Sequence, residues 1–284
     1  MGKTIAVVGA GRVGQTLARA LRRRGYRIGA VVTLSPRTAR QAARFIGAGS
    51  AAANQRSGIA AADIILIATP DSQVSRAARA LSDLAATWRG KVVLHTSGPL
   101  SSRELAALAR KGAAVGSLHP IYPFPRPLKD FPRGVFFGLE GEPRAVKEAA
   151  TLARALGGQR IRVRADQKRL YHAAAALVAG HLMTLAELGT RMLARAGVPN
   201  VRARRALLPL AEKTLAAYTR WGERAWTGPL ARGDAKTVRW HLEALQRLPR
   251  QYGEVYRVLG RAGLNLFRPA SDKRTRALQA LLKR

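Results

Sequence analysis

The chain has 284 residues, of which 47% are hydrophobic, and this suits two modest domains with buried cores. It has no cysteine, which excludes disulfides and thiolate chemistry, and no apolar run approaches the roughly 18 residues of a membrane span. The formal net charge of +34 attracts anionic partners, but the arginines are spread along the chain without a basic tail, so we expect no specific nucleic-acid partner.

The first element is a strand at 5–8, followed by a glycine-rich turn and a helix. Gly9, Gly11 and Gly14 form a G-x-G-x-x-G motif, in which the first glycine allows a tight turn and the second lets the backbone approach a pyrophosphate. The third lets the helix pack on the strand, and Arg12 and Val13 begin that helix, whose N-terminus would face the phosphates. The motif predicts a dinucleotide-binding domain of the Rossmann type.

The second strand, at 26–32, ends in a tip without an acidic residue. An acid there usually holds a free ribose 2′-hydroxyl, yet none precedes Asp63. The tip offers Ser35, Arg37 and Arg40 instead, and hydroxyl and guanidinium groups bind a 2′-phosphate. We therefore expect NADP as the cofactor. The alternative is that both arginines are ordinary solvated side chains.

Three further strands end in polar residues, and ligands of an open parallel sheet bind beyond the carboxyl ends of its strands. Thr69 and Pro70 follow the strand within 62–71 and are expected to contact the cofactor. Ser97 follows the strand within 91–98, and His119 ends the strand at 113–120. We expect both to border the nicotinamide or substrate. His95 is a further candidate, or else a buried histidine bonded to backbone.

Two added strands, at 134–141 and 159–165, complete an α/β fold with a doubly wound parallel sheet over residues 1–165. From about residue 166 the pattern is helical throughout, which predicts an all-helical second domain over 166–284. Its first long helix ends at Gly197, Pro199 opens the next, Asp234 can cap another, and Ser271 or Asp272 a last one.

The first long helix carries apolar residues on more than one face, which predicts a homodimer held by the helical domain. At its start, Lys168 and His172 lie four residues apart and share one face, with Tyr171 three residues after the lysine. A lysine ammonium there could stabilise negative charge on a substrate oxygen. Alternatively, Lys168 is solvated at a helix start. No metal site is expected.

Four stretches together resemble a bacterial family that has a Rossmann-like domain followed by a helical domain of unknown function. They are "HTSGPLSS" (95–102), "GSLHPIYPFP" (116–125), "YHAAAALVAGH" (171–181) and "TGPLARGDAKTV" (227–238). The resemblance covers essentially the whole chain and belongs to the 6-phosphogluconate-dehydrogenase-like superfamily. Ketopantoate reductase, pyrroline-5-carboxylate reductase, hydroxyisobutyrate dehydrogenase and prephenate dehydrogenase are more distant relatives. It implies an NADP-linked oxidoreductase with an intertwined helical dimer, but no particular substrate.

The same resemblance implies catalytic roles for four residues. Lys168 and His172 are similar to the K-x-x-x-N pair of ketopantoate reductase, whose lysine is catalytic, with His in place of Asn. His119 and the following proline resemble the His-Pro of prephenate dehydrogenase, without the Met-Ala-Gly found there. Ser97 is similar to the serine at the end of the fifth strand in hydroxyacid dehydrogenases. At His181 the family more often has Asn.

We therefore predict an NADP-dependent, cytoplasmic oxidoreductase that transfers hydride to or from a small carbonyl, hydroxyl or imine substrate. Two alternatives stay open. A non-catalytic NADP(H) sensor would keep the glycine motif without needing Lys168. A nucleic-acid-binding protein would use the basic field, although the sequence has no helix-turn-helix, zinc or RNA-recognition signature.

Overall fold

The computed structural model describes residues 2–48, 55–268 and 272–283. The chain divides into two compact units, Met1–Ala179 and Gly180–Arg284. The division lies inside the long helical stretch, so that residues 166–179, which the sequence pattern assigned to the helical domain, group with the sheet instead.

The first unit contains one seven-stranded sheet with the order β2-β1-β3-β4-β5-β6-β7. The strands are β1 (Thr4–Val8), β2 (Arg27–Val32), β3 (Ile64–Ile67), β4 (Val92–His95), β5 (Ala114–Pro120), β6 (Phe136–Gly141) and β7 (Gln159–Arg162). The first five are parallel, while β6 pairs antiparallel with β5 and β7 runs parallel to β6. All seven predicted strands are confirmed, and the two added ones run opposite to the rest.

Helices cover both faces of this sheet, which confirms the doubly wound architecture. They are α1 (Arg12–Arg23), α2 (Pro36–Ile46), α3 (Gln55–Ala60), α4 (Val74–Ser82), α5 (Ala106–Ala109), α6 (Pro143–Ala155) and α7 (Lys168–Ala176). Successive side chains of β1 point to opposite faces of the sheet, and both faces are covered, so residues 5–8 of this central strand are all apolar. Ile5 and Val7 lie in the core under α1 and α6, whereas Ala6 and Val8 lie in the core under α4.

The second unit, in its described residues, consists of helices joined by turns and short loops. After a π-helical segment, Leu177–His181, come α8 (Leu182–Arg195), α9 (Asn200–Trp221), α10 (Pro229–Arg232), α11 (Ala235–Leu245), α12 (Arg250–Phe267) and α13 (Lys273–Lys283). The predicted cap at Asp234 is confirmed, since its carboxylate accepts from the Thr237 N–H at 3.0 Å. Asp272 likewise accepts from the Thr275 N–H at 3.2 Å, and Ser271 lies outside the described residues.

The second unit leaves much apolar surface uncovered. In α9 only Ala203 is buried, and large side chains such as Leu210 and Trp221 are exposed. The helical stretch Ala165–Arg195 is also long and apolar enough, by length and composition, to cross a membrane, and 6% of its most apolar window is buried. The expectation from the sequence concerned uninterrupted apolar runs, whereas this stretch qualifies by its mean hydropathy, in which apolar residues outweigh the polar ones between them.

Candidate functional site

The glycine turn after β1 is pressed against the end of β3. Gly9 has φ of +87°, and a Cβ there would lie 2.5 Å from the backbone nitrogen of Thr69. A Cβ at Gly14 would collide with the carbonyl oxygen of Gly9, so this glycine lets α1 approach the turn. At Gly11 a Cβ would meet no atom within 4 Å. The first and third glycines are therefore required by packing within the protein, whereas the second borders open space.

The open space beside Gly11 is lined by groups that suit a bound anion. Gly11 caps α1 without a side-chain hydrogen bond, and the first turn of the helix, which includes Arg12 and Val13, has no acidic residue. Unpaired N–H groups and the positive end of the helix dipole therefore face this space. Thr69 has a buried hydroxyl without a hydrogen-bond partner among the described residues, and Pro70 turns the chain away after it. These residues fit the pyrophosphate of a dinucleotide.

The tip of β2 is organised by hydroxyl groups. The Ser35 hydroxyl accepts from the Thr38 N–H at 3.3 Å and so caps α2. The hydroxyls of Thr33 and Thr38 are 2.5 Å apart, which fixes the turn between strand and helix. Arg37 is exposed on the first turn of α2, next to this turn.

Lys168 is buried at the carboxyl edge of the sheet, with 1% of the residue exposed. Its Nζ donates to the carbonyl oxygen of Ser97 at 3.2 Å and to Oγ of Ser117 at 3.1 Å. The first acceptor follows β4 and the second lies on β5, so the ammonium links two neighbouring strands. Burial lowers the pKa of Lys168 to about 8, and the negative charges of Glu140 and Asp71 oppose that shift.

His119 and Tyr171 form a hydrogen-bonded pair beside the lysine. Nδ1 of His119 and the Tyr171 hydroxyl are 2.7 Å apart, and Nζ of Lys168 lies 5.5 Å from the centre of the tyrosine ring. Burial, then the positive charge of Lys168, lowers the pKa of His119 to about 3, so its ring is neutral at pH 7. Burial raises the pKa of Tyr171 to about 12. The hydroxyl therefore keeps its proton in the free protein.

Two glycines make room for these side chains. Gly138 lies opposite His119 in the pairing of β5 with β6, and a Cβ there would collide with the Tyr171 hydroxyl. A Cβ at Gly98 would collide with the ring of His172 and lie 3.0 Å from Nε2 of His119. Both positions must therefore lack a side chain for the polar residues of α7 to reach the sheet.

His95 is a buried partner of the loop rather than a residue that faces open space. It is fully buried, and its Nδ1 accepts from the Ser97 N–H at 3.2 Å, which leaves the proton of the neutral ring on Nε2. Burial, then the charge of Lys168, lowers its pKa to about 4. The alternative offered for His95, a buried histidine bonded to backbone, agrees with this position.

The structure brings the four predicted catalytic residues together. Lys168 bonds to Ser97, and the ring centres of His119 and His172 are 6.0 Å apart beside Gly98. His181 instead ends the π-helical segment and belongs to the second unit.

Two members of the cluster were missed from the sequence. Ser117 lies two residues before His119, so the period of a strand puts both on one face, and that signal could have found it. Glu140 lies opposite Ser117 on β6, and only the observed antiparallel register brings it there.

Comparisons with known proteins find two domain families, one after the other along the chain. A Rossmann-like domain family matches residues 3–120, and a domain family of unknown function, DUF2520, matches residues 135–262. No curated protein matches the chain.

Three solved structures illustrate the likeness in fold. BF3122 from Bacteroides fragilis, a candidate NADP oxidoreductase, is 21% identical with a TM-score of 0.71, covering 92% of this chain and 98% of its own. An imine reductase from Pseudomonas sp. is 19% identical with a TM-score of 0.66, covering 99% and 100%. A reductive aminase from Aspergillus terreus, in complex with NADPH and ethyl levulinate, is 14% identical with a TM-score of 0.65, again covering 99% and 100%.

At these identities the likeness establishes the fold alone. The two family matches follow one another along the chain in the order that the sequence motifs implied. The chain thus carries a Rossmann-like domain followed by a DUF2520 domain, which confirms the resemblance found in its sequence.

Proposed function

We propose that this protein is an NADP-linked oxidoreductase that transfers hydride to or from a small carbonyl, hydroxyl or imine substrate. One observation carries the proposal: a buried ammonium and a neutral His119–Tyr171 pair lie at the carboxyl edge of the same sheet as the open glycine turn. Groups with shifted pKa values, clustered where a parallel sheet binds its ligands, are typical of active sites. The names of the structural neighbours point to the same reaction class.

The cofactor contacts follow from the geometry of the turn and the strand tips. In this proposal the pyrophosphate lies over Gly11 and the start of α1, with Arg12 and Val13 at the helix N-terminus. Thr69 offers its unpaired hydroxyl from the adjacent strand end. The half-buried Ser35 and the exposed Arg37 contact the 2′-phosphate from the tip of β2.

The residues of the cluster have distinct roles in the proposed reaction. When bound, the reduced nicotinamide supplies a hydride to the electrophilic carbon, and the substrate oxygen or nitrogen then needs a proton. Tyr171 donates that proton, since a hydroxyl of pKa about 12 releases it only to a strongly basic atom. His119 orients the hydroxyl through Nδ1. Lys168, too buried to touch the substrate, lowers the energy of the phenolate that forms.

Two further residues shape the space next to this pair. Ser97 fixes the loop after β4, because its hydroxyl accepts from the Leu100 N–H at 3.3 Å. His172 is partly exposed beside His119, where it can hydrogen-bond a substrate group.

A tyrosine substitution tests the proposal. Tyr171→Phe removes the hydroxyl and leaves the ring, so NADPH affinity should change less than about twofold while turnover of small ketones or cyclic imines falls roughly 100-fold. Tyr218→Phe, on an exposed position of α9, is the matched control. A chain that does not bind NADPH would refute the proposal. NADPH binding without turnover on a broad substrate panel would favour the sensor.

We infer further that two copies associate through the helical unit. The supporting observation is the uncovered apolar surface of α8 and α9, where side chains such as Met183, Leu208 and Tyr218 are exposed. Monomeric proteins rarely leave such large apolar patches in water.

A further inference from the structure

Glu140 is a buried carboxylate that the proposed reaction does not use. It lies on β6 with 4% of the residue exposed. Its Oε2 accepts from the Ser102 N–H at 2.8 Å, and its Oε1 accepts from the Ser102 hydroxyl at 2.7 Å. Both oxygens are therefore engaged by one residue, at the start of the 3₁₀ helix Ser102–Leu105.

Both hydrogen-bond acceptors of the Lys168 ammonium are connected to Glu140. The first acceptor, the carbonyl of Ser97, belongs to the short loop that Glu140 anchors at Ser102. The second acceptor, Ser117, lies directly opposite Glu140 in the pairing of β5 with β6. Moving the carboxylate would therefore disturb both contacts of the ammonium.

Glu140 also provides a negative charge near the buried ammonium of Lys168. An ammonium that is removed from water and bonded only to neutral oxygens is unstable unless a negative charge lies near it. The titratable groups around Lys168 come from five parts of the first unit. They are Asp71 in the turn after β3, His95 on β4, His119 on β5, Glu140 on β6, and Tyr171 and His172 on α7. The histidines with resolved shifts are neutral at pH 7, and Asp71 is exposed, which leaves Glu140 as the buried negative charge of this group.

We propose that Glu140 is a positioning residue for Lys168, one that fixes both of its oxygen acceptors and supplies the buried charge that keeps it protonated. The direction of its influence supports this, because the Glu140 charge raises the pKa of Lys168 against the effect of burial and comes before that of Asp71. Any effect of Glu140 on turnover would act through Lys168 and so rests on the proposed function, whereas the charge pairing of Glu140 with Lys168 does not.

The test measures the pKa of Lys168 directly. Protein labelled with ¹³C at the lysine Cε is titrated by NMR, and the spectrum of Lys168→Met assigns the signal. Glu140→Gln keeps the size of the side chain and removes its charge, so the Lys168 pKa should fall by about one unit. Glu148→Gln is the matched control, because Glu148 is also buried but pairs with Lys3. It should leave the Lys168 signal unchanged, and Glu140→Asp should restore most of the shift.

A Lys168 pKa that is the same in Glu140→Gln as in the wild type would overturn the inference. If Glu140→Gln does not fold, Lys168→Met in the same chain should restore folding, because the pair is then neutral. Failure of that double variant would also overturn it. Failure of the proposed function looks different: NADPH would not bind or no substrate would turn over, while the NMR shift persisted.

Discussion

Replacing Lys168 with methionine should stabilise the protein at neutral pH, although it removes two hydrogen bonds. Methionine is unbranched and of similar length, so it fills the same volume. Burial lowers the pKa of Lys168 from its usual 10.5 to about 8 in the folded protein. At about 1.4 kcal/mol per pKa unit, the folded state therefore holds the charged lysine at a cost of about 3.5 kcal/mol.

The sign of this effect follows from where the proton binds. Below pH 8 both the folded and unfolded states hold the charged lysine, and the full cost applies to the folded state. Between pH 8 and 10.5 the unfolded state binds a proton that the folded state has lost, so stability rises with pH. Above that range both forms are neutral and the cost is gone. Methionine has no such dependence.

The lost hydrogen bonds lower the stability of Lys168→Met relative to the wild type by the same amount at every pH. Losing the donors to Ser97 and Ser117 costs roughly 1–2 kcal/mol together. Lys168→Met should therefore be more stable than the wild type by about 2 kcal/mol at pH 7, and less stable by about 1 kcal/mol near pH 10.5.

Urea unfolding of the two proteins across this range measures the difference, in which every other titrating group cancels. A difference that stays constant with pH would refute the reasoning, since it would mean that Lys168 is not charged in a desolvated site. The same variant should lower turnover at least 100-fold while leaving NADPH affinity nearly unchanged, because the lysine lies away from the glycine turn.

Three further predictions concern the cofactor, acid stability and assembly. NADPH should bind at least tenfold more tightly than NADH by calorimetry, and Arg37→Ala should close most of that gap, because a charge-assisted contact to phosphate contributes roughly 1.5–3 kcal/mol. Equal affinities would contradict the assignment of the β2 tip. Stability should fall by about 2 kcal/mol per pH unit between pH 6 and 5, because the unfolded state protonates His95 and His119 while their folded pKa values are about 4 and about 3. His95→Gln with His119→Gln should flatten that slope, and an unchanged slope would show that other groups cause it. Light scattering without detergent should give twice the chain mass of 30.6 kDa, whereas a monomer that is stable on dilution would contradict the dimer.

The elements of the fold were predictable because their signals are local. Each strand is a short apolar run bounded by glycine or polar residues, and each confirmed cap is a residue type that accepts hydrogen bonds from a helix start. The direction of β6 was not predictable, since a buried strand has the same apolar sequence pattern whether it runs parallel or antiparallel to the strand beside it. The extent of the first unit was missed for a related reason: α7 continues one helical pattern into α8, but its polar residues bond to the sheet.

The site was predictable only where chain position implies spatial position. Strand ends meet at one edge of a parallel sheet, so Ser97 and His119 could be grouped without a structure. Lys168 was expected to lie at that edge and to reach the substrate; it lies at the edge but is buried, which is why Tyr171 is the proton donor that we propose. Burial depends on what covers a side chain, and a sequence does not give that.

The glycines at 98 and 138 explain why a helix with ordinary spacing can deliver this cluster. Helices usually pack on sheets through apolar side chains contributed by both layers. At the start of α7, Gly138 of the sheet leaves room for Tyr171, and Gly98 of the loop after β4 leaves room for His172, so polar groups occupy space that apolar side chains would otherwise fill. Tyr171 finds its hydrogen-bond partner in His119, and the buried Lys168 beside it finds its partners in Ser97 and Ser117. A glycine inside a strand weakens it, so its presence opposite His119 is better explained by the approach of the tyrosine hydroxyl than by the needs of the sheet.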